Sequence, residues 1–200
     1  GGMAPLAAQL ADRFSRSLLM VVYHFGIGVA AVVAGITQSI WQLAIAIGMI
    51  GMFAAIYHPV GIAMLIRSNR RIGFRLGVNG VFGNMGVAAA PLVIGILLTL
   101  GDWRLCFVAS GTFCIVYGTV FVMALNGEGE TSVSNANRTS TGFAPNWKLA
   151  LGAMLLSTAS GGFIFGAMTF VVPRYFEISL PALSTSVAIT GLLASIVYAV

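Results

Sequence analysis

Residues 56–95 read IYHPVGIAMLIRSNRRIGFRLGVNGVFGNMGVAAAPLVIG. Two apolar runs flank a cluster of four arginines, Arg67, Arg70, Arg71 and Arg75. His58 and Pro59 lie inside the first run. Gly and Asn recur through the second. Polar groups in hydrocarbon are costly, so they call for a functional or structural reason. The arginines mark the side of a membrane on which the intervening turn lies. The stretch is read as helix, cytoplasmic turn, helix.

Composition supports this reading. The chain of 200 residues is 58% hydrophobic and only 8% charged. A soluble domain carries about 25% charged residues. The expected fold is therefore all-α and polytopic, in a membrane. A net charge of +5 could suggest nucleic acid. The bases, however, sit in short loops between apolar runs, so no nucleic-acid partner is expected.

Outward from that stretch, spans are expected at 17–38, 42–66, 76–100, 105–125 and 149–172, each long enough for a hydrocarbon core of about 30 Å. Residues 173–181 read as a turn and 182–200 as a further helix. Residues 1–9 look like the last turns of a helix, and the chain is expected to be an internal piece of a longer protein. Residues 127–147 are polar and aperiodic, as in a linker. The domains expected are thus 1–126, the linker 127–147, and 148–200. One set of alternate loops holds Arg13, Arg16, Arg67, Arg70, Arg71, Arg75, Arg138 and Lys148, and the other only Arg104 and Arg174. That asymmetry puts the first set, with the linker, on the cytoplasmic side of an inner membrane.

Asp12-Arg13-Phe14-Ser15-Arg16 resembles the loop between the second and third helices of the major facilitator superfamily. The loop glycines of that family are replaced here by Ala8 and Ser15. The Asp102-Trp103-Arg104 turn, the Gly83-x-x-Gly86…Pro91…Gly95 pattern and the mid-chain linker resemble the same family. Within it, Tyr57-His58-Pro59 with Gly83-Asn84-Met85-Gly86 and Pro91 is most similar to the fosmidomycin-resistance type of efflux permease. Many proton-coupled exporters of the family carry an arginine where this chain has Ile47. The resemblance implies a fragment from the end of helix 2 to helix 8 of a bundle with two pseudo-symmetric halves. It also implies secondary active transport of a small organic compound by alternating access, with protons as the coupling ion.

His58 lies nine residues before Arg67, about 13 Å into the membrane and close to the midplane. Such transporters bind near that level. A histidine there can change charge near neutral pH, or can simply hydrogen-bond a neighbouring helix. Substrate or proton contact is expected of His58, Asn84, Asn79 and Tyr57. Asn79 and Asn84 point about 140° apart on a helix. Pro59 leaves the carbonyl of Ala55 without a helical donor and is expected to kink its span. Gly80, Gly83, Gly86, Pro91 and Gly95 are expected to pack closely. Asp12, Arg13 and Arg16 are candidates for a cytoplasmic gate, or for plain topology. His24 is expected in a structural or lipid-side role, since the third helix of the resembled family is peripheral. Phe163, Phe165, Phe170 and Tyr175 are read as aromatic core, or as a lining for an apolar path.

No span carries Asp or Glu, and there is no phosphate loop, metal cluster or Gly-x-Ser-x-Gly pattern. The chain is not expected to be an enzyme or to hold a metal or cofactor. The leading function is proton-coupled export of a small organic compound. Uptake or exchange of a small anion is the alternative, and a membrane scaffold or sensor the second. Membrane lipid is the other expected partner, and the full-length protein is expected to be a monomer.

Overall fold

In a computed structural model, residues 14–66, 71–125, 147–181 and 186–199 are described. Seven helices account for almost all of them: α1 Arg16–Ile36, α2 Ile40–Ala54, α3 Tyr57–Ile66, α4 Ile72–Leu100, α5 Trp103–Leu125, α6 Trp147–Ser179 and α7 Val187–Ala199. No strand occurs among the described residues. Among the described residues four stretches are long and apolar enough to cross a bilayer, namely α1, α2 with α3 as one interrupted span of 27 residues, α4, and α5.

Local sequence explains the ends. Ser15 caps α1, its Oγ accepting from the Leu18 amide at 3.1 Å. Thr37 closes it by donating its hydroxyl to the Ala34 carbonyl at 2.8 Å. Ser39 then accepts from the Gln42 amide, and the Gln42 side chain accepts from Gln38 N–H. The Ser39 cap, with Gln42 reaching back past it to Gln38, starts the next helix at once. Asp102 accepts from the Arg104 amide at 3.0 Å and starts α5 in the same way.

The span α2–α3 is broken at Ala55 and Ile56. Pro59 has no N–H to give to Ala55, and the chain turns more tightly there. The Ile56 amide reaches back three residues to Phe53, and regular bonding resumes with Val60 to Ile56. One missing donor thus converts one span into two helices.

The packing centre is α1. In its apolar window 44% of residues are buried, against 11–17% in the other three spans. It packs closely along α5, and on its other flank meets α2 and α3. Small residues make the α1–α5 approach possible. A Cβ on Gly28 would lie 2.8 Å from the Gly111 carbonyl, and one on Gly111 2.6 Å from the Gly28 carbonyl. Gly35 is closed by the Arg104 carbonyl and Gly118 by His24. The peripheral place expected for this helix is not what the described residues show. One line of its buried residues is His24, Gly28, Ala31 and Gly35. These spacings of four, three and four keep all of them within about 40° of one line.

The second close pairing is α4 with α7, which joins residues before and after the linker region. Gly191 sits against the Pro91 carbonyl and Gly95 against Val187. The Leu92 amide donates to Ser195 Oγ at 3.0 Å.

One expectation is corrected. Residues 173–181 do not form a turn, because α6 runs through Pro173 to Ser179. A proline removes one helical donor, but in a membrane setting every other backbone group still gains from staying paired. Arg174 and Glu177, 2.9 Å apart at helical spacing, span the turn beyond it. Phe163, Phe165, Phe170 and Tyr175 are open in the sequence to two readings, aromatic core or the lining of an apolar path. All four are exposed among the described residues. Cys106 is buried and Cys114 partly buried, and both are free thiols.

Candidate functional site

The break in the second span sets up the site. Just past it, Tyr57 turns towards α4 and donates its hydroxyl to Asn79 Oδ1 at 2.8 Å. Ile56 and Val60, on the same face, are buried against Leu19 and Met20 of α1. The inner segment α3 is therefore held on both sides. At its far end the Arg16 guanidinium donates to the Ala63 carbonyl at 3.2 Å. A cation on the carbonyls of a helix C-terminus complements the helix dipole.

Between α1, α3, α4 and α5 lies a hollow of about 300 Å³. Its polar and aromatic lining includes Tyr23, His24, Tyr57, Asn79, Tyr117 and Phe121. The His24 ring sits 4.7 Å from that of Tyr23, 5.0 Å from Tyr117 and 5.4 Å from Phe121. Its Nδ1 lies 2.7 Å from the Met20 carbonyl. A carbonyl only accepts, so Nδ1 carries a proton, and Nε2 keeps a lone pair in the neutral ring. Gly118 gives the ring its room, since a Cβ there would be 2.9 Å from His24 Cβ.

The residues singled out in the sequence fall into separate places. Tyr57 and Asn79 are brought together. His58 and Asn84 are exposed, and neither joins that pair. The His58 ring meets the Tyr57 ring edge-on, with centroids 5.5 Å apart. Arg16 binds a carbonyl of α3 in its own half. Asp12 and Arg13 lie outside the described residues. Pro91 and Gly95 lie in the contact with α7. A Cβ on Gly80, Gly83 or Gly86 would meet nothing within 4 Å. Within the described residues, no group of three or more His, Cys, Asp or Glu could hold a metal.

Tyr23 and Tyr117 are not singled out in the sequence, and His24 is given there only a structural or lipid-side role. The signal for His24 was present. It shares a face with Gly28, Ala31 and Gly35, and a face of small residues seeks another helix and turns from lipid.

At the opposite membrane side, Arg104 closes α1. Its Nη1 donates to the carbonyls of Gly35, at 3.1 Å, and Thr37. The guanidinium also lies 4.7 Å above the Trp103 ring. The Asp102 carboxylate, 3.9 Å away and well exposed, adds little.

The profile of the Major Facilitator Superfamily matches residues 1–200. Among curated proteins, the chain is 26% identical over 201 residues to Multidrug resistance protein MdtG of Proteus mirabilis, covering 96% of this chain and 49% of that protein. It is 31% identical over 109 residues to Puromycin resistance protein pur8 of Streptomyces alboniger, covering 53% of this chain and 22% of that protein. It is 28% identical over 125 residues to Multidrug resistance protein MdtG of Escherichia coli, covering 56% of this chain and 30% of that protein. The chain thus spans about half the length, or less, of these relatives. No solved structure matches it.

Proposed function

The chain belongs to the Major Facilitator Superfamily, as part of an integral multi-pass membrane protein, and from that premise we propose that it exports small organic compounds. The observation that carries this reading is the interrupted span. A helix broken at mid-membrane by Pro59 presents His58 on an open face and commits Tyr57 to Asn79 on the next span. A purely structural bundle has no need of such a break. The relatives named for resistance to several drugs and to puromycin point to the same class of cargo.

The mechanism proposed is alternating access in the inner membrane, with residues 127–147 on the cytoplasmic side and the full-length protein acting as a monomer. His58 takes up and releases the coupling proton, and Asn84 contacts the substrate from α4. Arg16 fixes the inner end of α3 and, with Asp12 and Arg13, serves as the cytoplasmic gate. The likeness to fosmidomycin-resistance permeases is kept as part of this proposal. A second reading, exchange of a small anion, is favoured by one observation. The apolar runs 17–38, 42–66, 76–100, 105–125 and 149–172 hold His24 and His58 but no Asp, Glu, Lys or Arg, so a histidine is the group within them that can carry charge.

The test is overexpression of the full-length gene in a bacterium stripped of its own efflux pumps. Export raises resistance to small aromatic toxicants, and His58→Ala removes the effect and its dependence on external pH. Unchanged transport and unchanged pH dependence in His58→Ala would end the role given to that residue. Growth on an anionic nutrient without any gain in resistance would favour the second reading.

A further inference from the structure

We propose that the hollow between α1, α3, α4 and α5 is a binding site for a small aromatic amine. It lies within one half of the bundle, on the His24 side of Tyr57, and His58 does not line it. Its volume of about 300 Å³ is at the lower end for small-molecule sites and admits a two-ring compound.

The class of ligand follows from the walls. Tyr23, Tyr57, Tyr117 and Phe121 offer aromatic faces on several sides, which suits a flat apolar body or a cation over a ring. His24 spends Nδ1–H on the Met20 carbonyl. Among the described residues no side-chain nitrogen or oxygen is both sealed and unpartnered, and Nε2 has no protein partner there. Nε2 therefore opens on the hollow as a hydrogen-bond acceptor, placed about 12 Å beyond Arg16 along α1. A ligand N–H satisfies it. Among the described residues no arginine or lysine lines the hollow, so a carboxylate ligand finds no cation among them and would be desolvated without compensation. The Tyr57–Asn79 hydrogen bond holds the opposite wall and leaves the Asn79 amide N–H groups for a second polar contact. As a transported substrate the amine rests on the export reading above. As a bound ligand it does not.

The experiment uses the full-length protein in lipid nanodiscs and radiolabelled 1-naphthylmethylamine, followed by scintillation proximity. Saturable binding is expected. On the unaltered protein, 1-ethylnaphthalene, which lacks the N–H, should compete at least about tenfold less well, the worth of one buried hydrogen bond. 1-Naphthaleneacetate should not compete. His24→Phe keeps the aromatic bulk and should weaken binding about tenfold, whereas Thr99→Ala, exposed on α4 and outside the hollow, should leave it within twofold. Absence of saturable binding overturns the site, as does equal competition by the three compounds or unchanged binding in His24→Phe. If binding behaves as expected but cells gain no resistance to the amine, the export reading falls and the site stands. If resistance is gained without binding, the site falls and export stands.

Discussion

Two sets of glycines in this chain look alike on paper and behave oppositely in space. Gly28 and Gly35 on α1, with Gly111 and Gly118 on α5, recur every seven residues and each is closed by the facing helix. Gly77, Gly80, Gly83 and Gly86 on α4 are spaced more densely, every three residues, yet a Cβ on any of them meets nothing within 4 Å. The first set binds two helices backbone to backbone. The second belongs to a face that stays open among the described residues. Only the outer end of α4, from Ala88 through Pro91 to Gly95, finds a partner in α7. Small residues therefore allow an approach without dictating one, because they remove an obstacle and supply little attraction.

Breaking the closed seam should cost most. In Gly111→Val the new side chain meets the Gly28 carbonyl and Val32 with no room to move. A loss of about 3 kcal/mol or more is expected, read as a collapse of the melting temperature of the detergent-solubilised full-length protein. A melting temperature close to the parent's would show that the α1–α5 seam does not hold the fold.

Arg104→Ala comes next. It leaves the Gly35 and Thr37 carbonyls without their cation, and charged hydrogen bonds of this kind are worth about 1.5–3 kcal/mol. Thermal melting should fall clearly but less than for the seam variant. Cysteine labelling at the end of α1 should become faster as that end frays.

Tyr57→Phe tests the latch between α3 and α4. One hydrogen bond to Asn79 is lost, about 0.6–1 kcal/mol in a membrane protein. The visible change should be in the mobility of α3, read by hydrogen exchange of residues 57–66. Equal protection in the variant and the parent would show that packing on Leu19 and Met20 alone holds that segment.

Gly83→Ala, on the open face, should cost nothing. Alanine is the better helix former by about 1 kcal/mol, so a small rise in melting temperature is expected. A marked loss would show that this face is covered in the full-length protein, and would make α4 resemble α1 after all.

The spans and their order were legible because hydropathy and length act locally. A run of twenty apolar residues must find hydrocarbon whatever it touches. The break at Ala55–Ile56 is equally local, since Pro59 takes a donor from its own helix. The course of α6 was less so. Pro173 followed by Arg174 and Glu177 reads as a turn, yet one lost donor is a small defect in a helix whose other amides stay paired. The site was legible only in part. Tyr57 and Asn79 stood out as polar groups in apolar runs, but their pairing joins residues 22 apart.

His24 marks the line between the two kinds of information. Its depth, its place on a small-residue face and its type all follow from the chain itself, through helical periodicity and the cost of polar groups in lipid. That it stands in a cage of Tyr23, Tyr117 and Phe121 depends on α5 lying against α1 with Gly118 opposite. Periodicity tells which face of a helix must be covered. It carries no record of which helix covers it, because that choice is made by the fit of whole surfaces, and only the tertiary structure holds that fit.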